Sequence, residues 1–184
     1  MRLLTLTRRP LAYNALLVSV LTLTQCQKSA VVPALPPETT TGANKAGCVV
    51  EGQVLIPRDQ GGKSGTNLAF RLGTTAADAH FSLGISDLQD SSQPFILLTA
   101  DSLVLAEGTS YPFAFSAHQG VVQARCLTAT GSYTTTGPTS GTLTMTKLDR
   151  QARLLAGRFE FVATNQATGR QVTVTQGRFD YKSN

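Results

Sequence analysis

Apolar and polar positions alternate with a period of two through most of the chain beyond residue 48. The pattern is cleanest over 141–181, which reads as three consecutive strands, GTLTMTKL, LLAGRFEFVA and QVTVTQGRFDY. In the middle one, Leu155, Phe159, Phe161 and Ala163 share a face and Arg158 and Glu160 take the other. Such alternation marks a strand with one buried and one wet side. The last strand changes parity: Val172 and Val174 are on even positions, Phe179 and Tyr181 on odd ones. A bulge at Gln176-Gly177 adds one residue and returns the aromatics to the core side. Residues 165–170, with Gly169, supply the hairpin turn between the second and third strands.

Shorter strands precede these. Leu68, Phe70 and Leu72 alternate, as do Phe81, Leu83 and Ile85. Residues 95–98 are continuously apolar, as in a strand buried on both faces. Tyr111, Phe113 and Phe115 alternate again, and Pro112 marks that strand as an edge. Further strands are expected over 121–127 and 132–135, and a short helical turn within 101–108. In CVVEGQVLI, residues 48–56, Glu51-Gly52 is either a two-residue hairpin turn or an interruption in a single strand. The sum is an all-β domain over 44–184, a single antiparallel β-sandwich or partly open β-barrel of about 8–10 strands.

The first residues follow another rule. Arg2, Arg8 and Arg9 precede an apolar run at 11–23. Thirteen helical residues span about 20 Å, short of the roughly 30 Å of a bilayer core. The segment 1–25 therefore reads as a secretory signal. It ends Leu23-Thr24-Gln25-Cys26, which resembles the lipobox of bacterial lipoproteins, with Gln25 in place of the usual small residue. The resemblance implies that the Cys26 thiol takes a diacylglyceryl group and becomes the mature N-terminus. Two or three acyl chains then anchor stably, at about 0.8 kcal/mol per buried CH₂. The simpler alternative is an ordinary signal with a chance thiol. Gln27 and Lys28 follow, with no Asp to argue for inner-membrane retention. The expected location is the outer membrane, on either its periplasmic or its outer face. Residues 26–43, with Pro33, Pro36 and Pro37, form a Pro/Thr-rich tether of polyproline character, about 3.1 Å per residue.

Charge adds little. Sixteen Lys and Arg face eleven Asp and Glu; without the three leader arginines, thirteen face eleven, a net +2. That is an ordinary surface and gives no reason to expect nucleic acid as a partner. With Cys26 lipidated, Cys48 and Cys126 are an even pair in an oxidising compartment. A disulfide between them would stabilise by roughly 4.5 kcal/mol in the chain-entropy limit. Two buried free thiols are the equal alternative.

The segment 35–52, LPPETTTGAN…GCVVEG, resembles the opening of an uncharacterised family of Gram-negative lipoproteins. The matching residues are Leu35, Pro36, Pro37, Thr39, Gly42, Gly47, Cys48, Val50, Gly52 and Pro57. The aromatic before the Gly-Cys is Ala46 here, the Asn before Gly52 is Glu51, and the family's Trp is replaced by Leu55 or Ile56. The closing strands resemble the same family at Gly141, Leu143, Thr144, Asp149, Gly157, Phe159, Phe161, Ala163, Val172, Thr173, Val174, Thr175, Gly177, Phe179 and Asp180. The resemblance implies a secreted lipoprotein with an antiparallel β domain and no established activity.

No catalytic motif is visible, and the chain is not expected to be an enzyme or to need a cofactor. His80 and His118 are the only imidazoles and read as surface. Gly62-Lys63-Ser64 lacks the remaining glycine of a phosphate loop. The cysteines and histidines lack zinc spacing. Asp87 and Asp90 suggest at most a loop cation site, and Asp180 a surface pair with Arg178 or Arg158. The expectation is a monomeric, lipid-anchored cell-envelope domain that binds or scaffolds a protein or glycan partner. The alternative is a small-ligand or glycan carrier with a pocket in the β domain, lined by Phe113, Phe115 and the closing aromatics.

Overall fold

The computed structural model describes residues 34–115 and 120–182. The described residues hold eleven strands and no α-helix. The strands are β1 Lys45–Val50, β2 Gln53–Leu55, β3 Thr66–Leu72, β4 Ala79–Ile85, β5 Phe95–Asp101 and β6 Ser110–Pro112. They continue with β7 Val122–Thr128, β8 Gly131–Thr134, β9 Gly141–Asp149, β10 Leu154–Thr164 and β11 Gln171–Lys182. All belong to one antiparallel sheet in the order β2-β1-β11-β10-β8-β7-β5-β4-β3, with β9 also on β10 and β6 on β9. The sheet curls into a half-barrel. Its two halves face each other across the core, where Phe81 of β4 meets Phe179 of β11 with ring centroids 5.8 Å apart.

The strand β10 is where the sheet branches. Its first eight residues, Leu154 to Phe161, pair with β9, and its last, Thr164, pairs with Thr134 of β8. The branch is closed by Thr135, whose hydroxyl is fully buried. It donates to the Ala114 carbonyl at 2.8 Å and lies 3.3 Å from the Ala124 amide that donates to it. A buried hydroxyl costs free energy unless paired, and here it ties β7 to the residues that follow β6 and β8.

The closing strands carry the parity change the alternation requires. Val172, Val174 and Phe179 are buried, and Gln176 takes a positive φ of 53°. The bulge is felt on both sides. Between Phe159 and Phe161 on β10, and between Gly47 and Val49 on β1, the pairing with β11 skips a residue. The tripeptide Gly-Arg-Phe occurs at 157–159 and again at 177–179. The two copies are antiparallel neighbours: Gly157 faces Phe179, Arg158 faces Arg178 and Phe159 faces Gly177. Each ring fills the space above the opposite glycine. A Cβ on Gly157 would stand 2.6 Å from Phe179 Cζ, and one on Gly177 2.4 Å from Phe159 Cδ2.

Two expectations are refined. Glu51 and Gly52 have φ of 48° and 80°, and Val50 pairs with Gln53. They form a two-residue hairpin turn, the first of the two readings, with a glutamate in the left-handed conformation. Its backbone amide donates to Thr173 O at 3.0 Å and its carboxylate accepts from Thr173 N, which holds the turn on β11. The strand β5, by contrast, is not buried on both faces. Ile96, Leu98 and Ala100 are buried, while Phe95 and Leu97 are half-exposed on the outside. Phe95 is outside because its ring covers Gly84 on the neighbouring strand; a Cβ there would meet it at 3.0 Å.

Candidate functional site: the junction of tether and domain

The residues that lead from the tether into β1 form a strap across the outer face of the closing strands. Leu35 and Pro36 lie against Gly47, where an added Cβ would be 3.0 Å from Leu35 Cδ2 and 3.2 Å from Pro36 Cδ. Glu38 reaches Arg158 at 3.9 Å, and Arg178 Nη1 donates to Pro36 O at 3.3 Å. Two arginines directly opposite each other repel; the strap supplies Arg158 with an opposite charge and Arg178 with an acceptor. The chain then turns at Gly42, φ 79°, where a Cβ would be 2.5 Å from Lys182 Cβ. Asn44 Oδ1 accepts from Lys182 N at 3.0 Å, and β1 begins at the next residue.

Asp180 fixes this strap. It points outward from β11 but is buried, because residues 39–43 fold over it. Its carboxylate accepts four hydrogen bonds, from Thr39 Oγ1 (2.6 Å), Thr41 N (3.0 Å), Gly42 N (2.8 Å) and Ala43 N (3.1 Å). Burial alone would raise its pKa. The donors from Thr39, Ala43, Gly42 and Thr41 outweigh that and hold it below the usual carboxylate value. The expected pairing of Asp180 with Arg178 or Arg158 is therefore corrected: the carboxylate takes backbone and hydroxyl donors, and the arginines turn to Glu38 and Pro36. The end of the segment expected as tether, residues 39–43, is bonded to the β domain. Thr39 and Gly42, near the start of the β domain, and Asp180, near its end, are here in contact.

Three surface hollows adjoin the strap. One of about 180 Å³ lies beneath it, between Pro37, Thr39, Arg158 and Asp180. A second of about 330 Å³ follows the outer face past Arg158, Thr144 and Thr175. The third is an open groove of about 770 Å³ where the described chain enters, lined by Ala34, Lys45, Ile56, Arg58, Thr66 and Tyr181.

The other candidate residues are dispersed. His80 Nδ1 meets Asp101 Oδ1 directly across the β4–β5 pair. The hollow beside that histidine holds about 10 Å³, space for one water and no substrate. His118 and Cys26 lie outside the described residues. Asp87 takes Arg58 as a two-toothed partner and accepts from Gln89 N; Asp90 accepts from Ser92 and Gln93. Both carboxylates are thus taken up by these partners, and among the described residues no group of acidic, His and Cys side chains is placed to hold a metal ion. Cys48 and Cys126 are free, buried thiols. Burial, and for Cys48 also Cys126, for Cys126 also Glu51, push each up to about 12. Thiols of this kind are unreactive as nucleophiles. Phe113 is fully buried with its edge on Phe161, centroids 5.5 Å apart, and Phe115 is exposed. The interior at that point is filled by side chains.

No protein-family model matches this chain, and no match is found among curated proteins or solved structures.

Asp180 is the residue whose role the alternation conceals. Its position on an outward face reads as solvent, and its partners are about 140 residues away in a segment of linker composition. The signal that points to it is the pair of short motifs at the two ends of the domain, each with a glycine and a hydrogen-bonding side chain.

Proposed function

We propose that this chain is a lipid-anchored cell-envelope protein whose β domain binds or scaffolds a partner, held to the outer membrane through Cys26. The sequence of basic leader, short apolar run and Leu-Thr-Gln-Cys supports the anchor. The observation that carries the reading is the strap: the residues that follow the tether are bonded to β11 through the Asp180 carboxylate. A free linker needs no such fixture. In a chain that leads to a membrane, such a fixture passes any pull from the anchor to β11, the longest of the described strands. The filled region around Phe113 gives the carrier reading no support from the interior.

The test is fractionation of Cys26→Ser. The variant is expected to leave the membrane fraction and appear soluble with an intact fold. A variant that fractionates as the parent does would refute lipidation at Cys26.

A further inference from the structure

Among the described residues the sheet has three free margins, and they are not alike. The strand β2 is three residues long and runs into Pro57. The strand β6 is three residues long and contains Pro112. Short strands and prolines are the ordinary means of keeping a sheet edge from pairing with another chain. At the far end stands β3, seven residues in unbroken register with β4, with no proline, lysine or bulge. Among the described residues no backbone hydrogen bond reaches it from its other side. Its inward residues Leu68 and Phe70 pack on the core yet remain half-exposed, because no strand follows to cover them.

We propose that β3 is a self-pairing edge, and that its occupant is β3 of a second copy of this chain, antiparallel about Ala69. In that register Leu68 pairs with Phe70 of the other copy, so the two half-covered apolar faces join and close. Ala69 pairs with its equivalent. Asn67 pairs with Arg71 of the other copy, so the strand's only charge never meets its own kind. Thr66 pairs with Leu72. An edge of seven residues buries well under the roughly 1,200 Å² of a stable interface. The pairing is therefore weak in dilute solution, in keeping with the monomer expected there, and operates where copies are concentrated. This last step rests on the membrane anchoring proposed above, which supplies that concentration.

Disulfide trapping reads the register directly. Asn67, Ala69 and Arg71 all point outward and are exposed, so cysteine at each leaves the fold intact. Full-length Ala69→Cys in membranes is expected to form a covalent dimer under mild oxidation. Asn67→Cys alone is expected not to, but to link when co-expressed with Arg71→Cys. The same set in the Cys26→Ser background, oxidised as soluble protein over rising concentration, is expected to give the same pattern at the high end. Charge sharpens the result. Asn67→Asp is expected to raise the dimer fraction of Ala69→Cys about threefold and Asn67→Lys to lower it about as much. Equal linking by Ala69→Cys and Asn67→Cys in both backgrounds would overturn the proposal, as would linking only to a different protein. The same pattern of links in both backgrounds, with Cys26→Ser unchanged in fractionation, would sink the anchor and leave the edge pairing standing.

Discussion

The two ends of the sheet solve the same problem in opposite ways. At the closing end, β11 has a neighbour on each side along most of its length, a strap on its outer face and the core on its inner face. At the other end, β3 has one neighbour, and its apolar residues remain half in water. The closing end draws its partners from the far end of the sequence, with Thr39 and Asp180 separated by 141 residues. The margin at β3 depends mainly on contacts with β4, a short hairpin away, with one side-chain hydrogen bond from its first residue, Thr66, to Tyr181. Stability is stored where distant segments meet. Contacts between distant segments cover both faces and leave no free margin; a local hairpin covers one margin and exposes the other.

The largest expected effects come from core truncations. Leu155 of β10 is fully buried. Leu155→Ala is expected to destabilise by about 3 kcal/mol, from lost transfer free energy and the cavity left behind. Urea midpoints at constant slope measure it. Removal of the clamp comes next. Asp180→Asn keeps one acceptor oxygen but puts an NH2 where the second carboxylate oxygen was, facing donors with which it cannot pair. The expected cost is about 2 kcal/mol, limited by the freedom of the strap to detach into water.

The clamp also has a pH signature. The folded Asp180 has a pKa below its unfolded value of about 3.9, so its contribution is complete above that value and is lost as the pH falls through the folded pKa. The parent is expected to lose more stability between pH 5 and pH 3 than Asp180→Asn does. Equal losses would remove Asp180 from the acid response.

Smaller effects sharpen the contrast. Gly177→Ala places a methyl group into the ring of Phe159 and is expected to cost about 1–2 kcal/mol by overpacking. Substitution of Phe159 by Leu in the same chain should recover part of it. The least effect belongs to the open margin. Leu68→Ala is expected to cost about 1 kcal/mol or less, since the side chain is half in water already. A cost equal to that of Leu155→Ala would show that β3 is as well covered as β10 and would dissolve the comparison.

Much of this architecture can be read from residue order. The period of two over Leu155–Ala163, the parity change at Gln176 and the turn at 165–170 all follow from local pattern, because strand and turn chemistry act over a few residues. The apolar run at 95–98 misleads for a reason that no local pattern contains: Phe95 is outside to cover Gly84 on another strand. The same holds for Asp180. Local rules assign it to solvent, and only the fold brings residues 39–43 over it. The direct facing of His80 and Asp101 is a matter of register between strands, which their own sequences leave open. The strap was hidden in the opposite way, since proline and threonine are common in linkers and equally suited to an extended segment that donates backbone amides to a carboxylate.

Amide hydrogen exchange at Thr41, Gly42 and Ala43 addresses the strap most directly. If these residues are fixed to β11 through Asp180, their amides exchange as slowly as those of neighbouring β11 residues in the parent. In Asp180→Asn they then exchange about thirtyfold faster, the equivalent of about 2 kcal/mol, while β10 stays protected. Exchange in the parent at the rate of a free linker, or no change in the variant, would contradict the fixed strap.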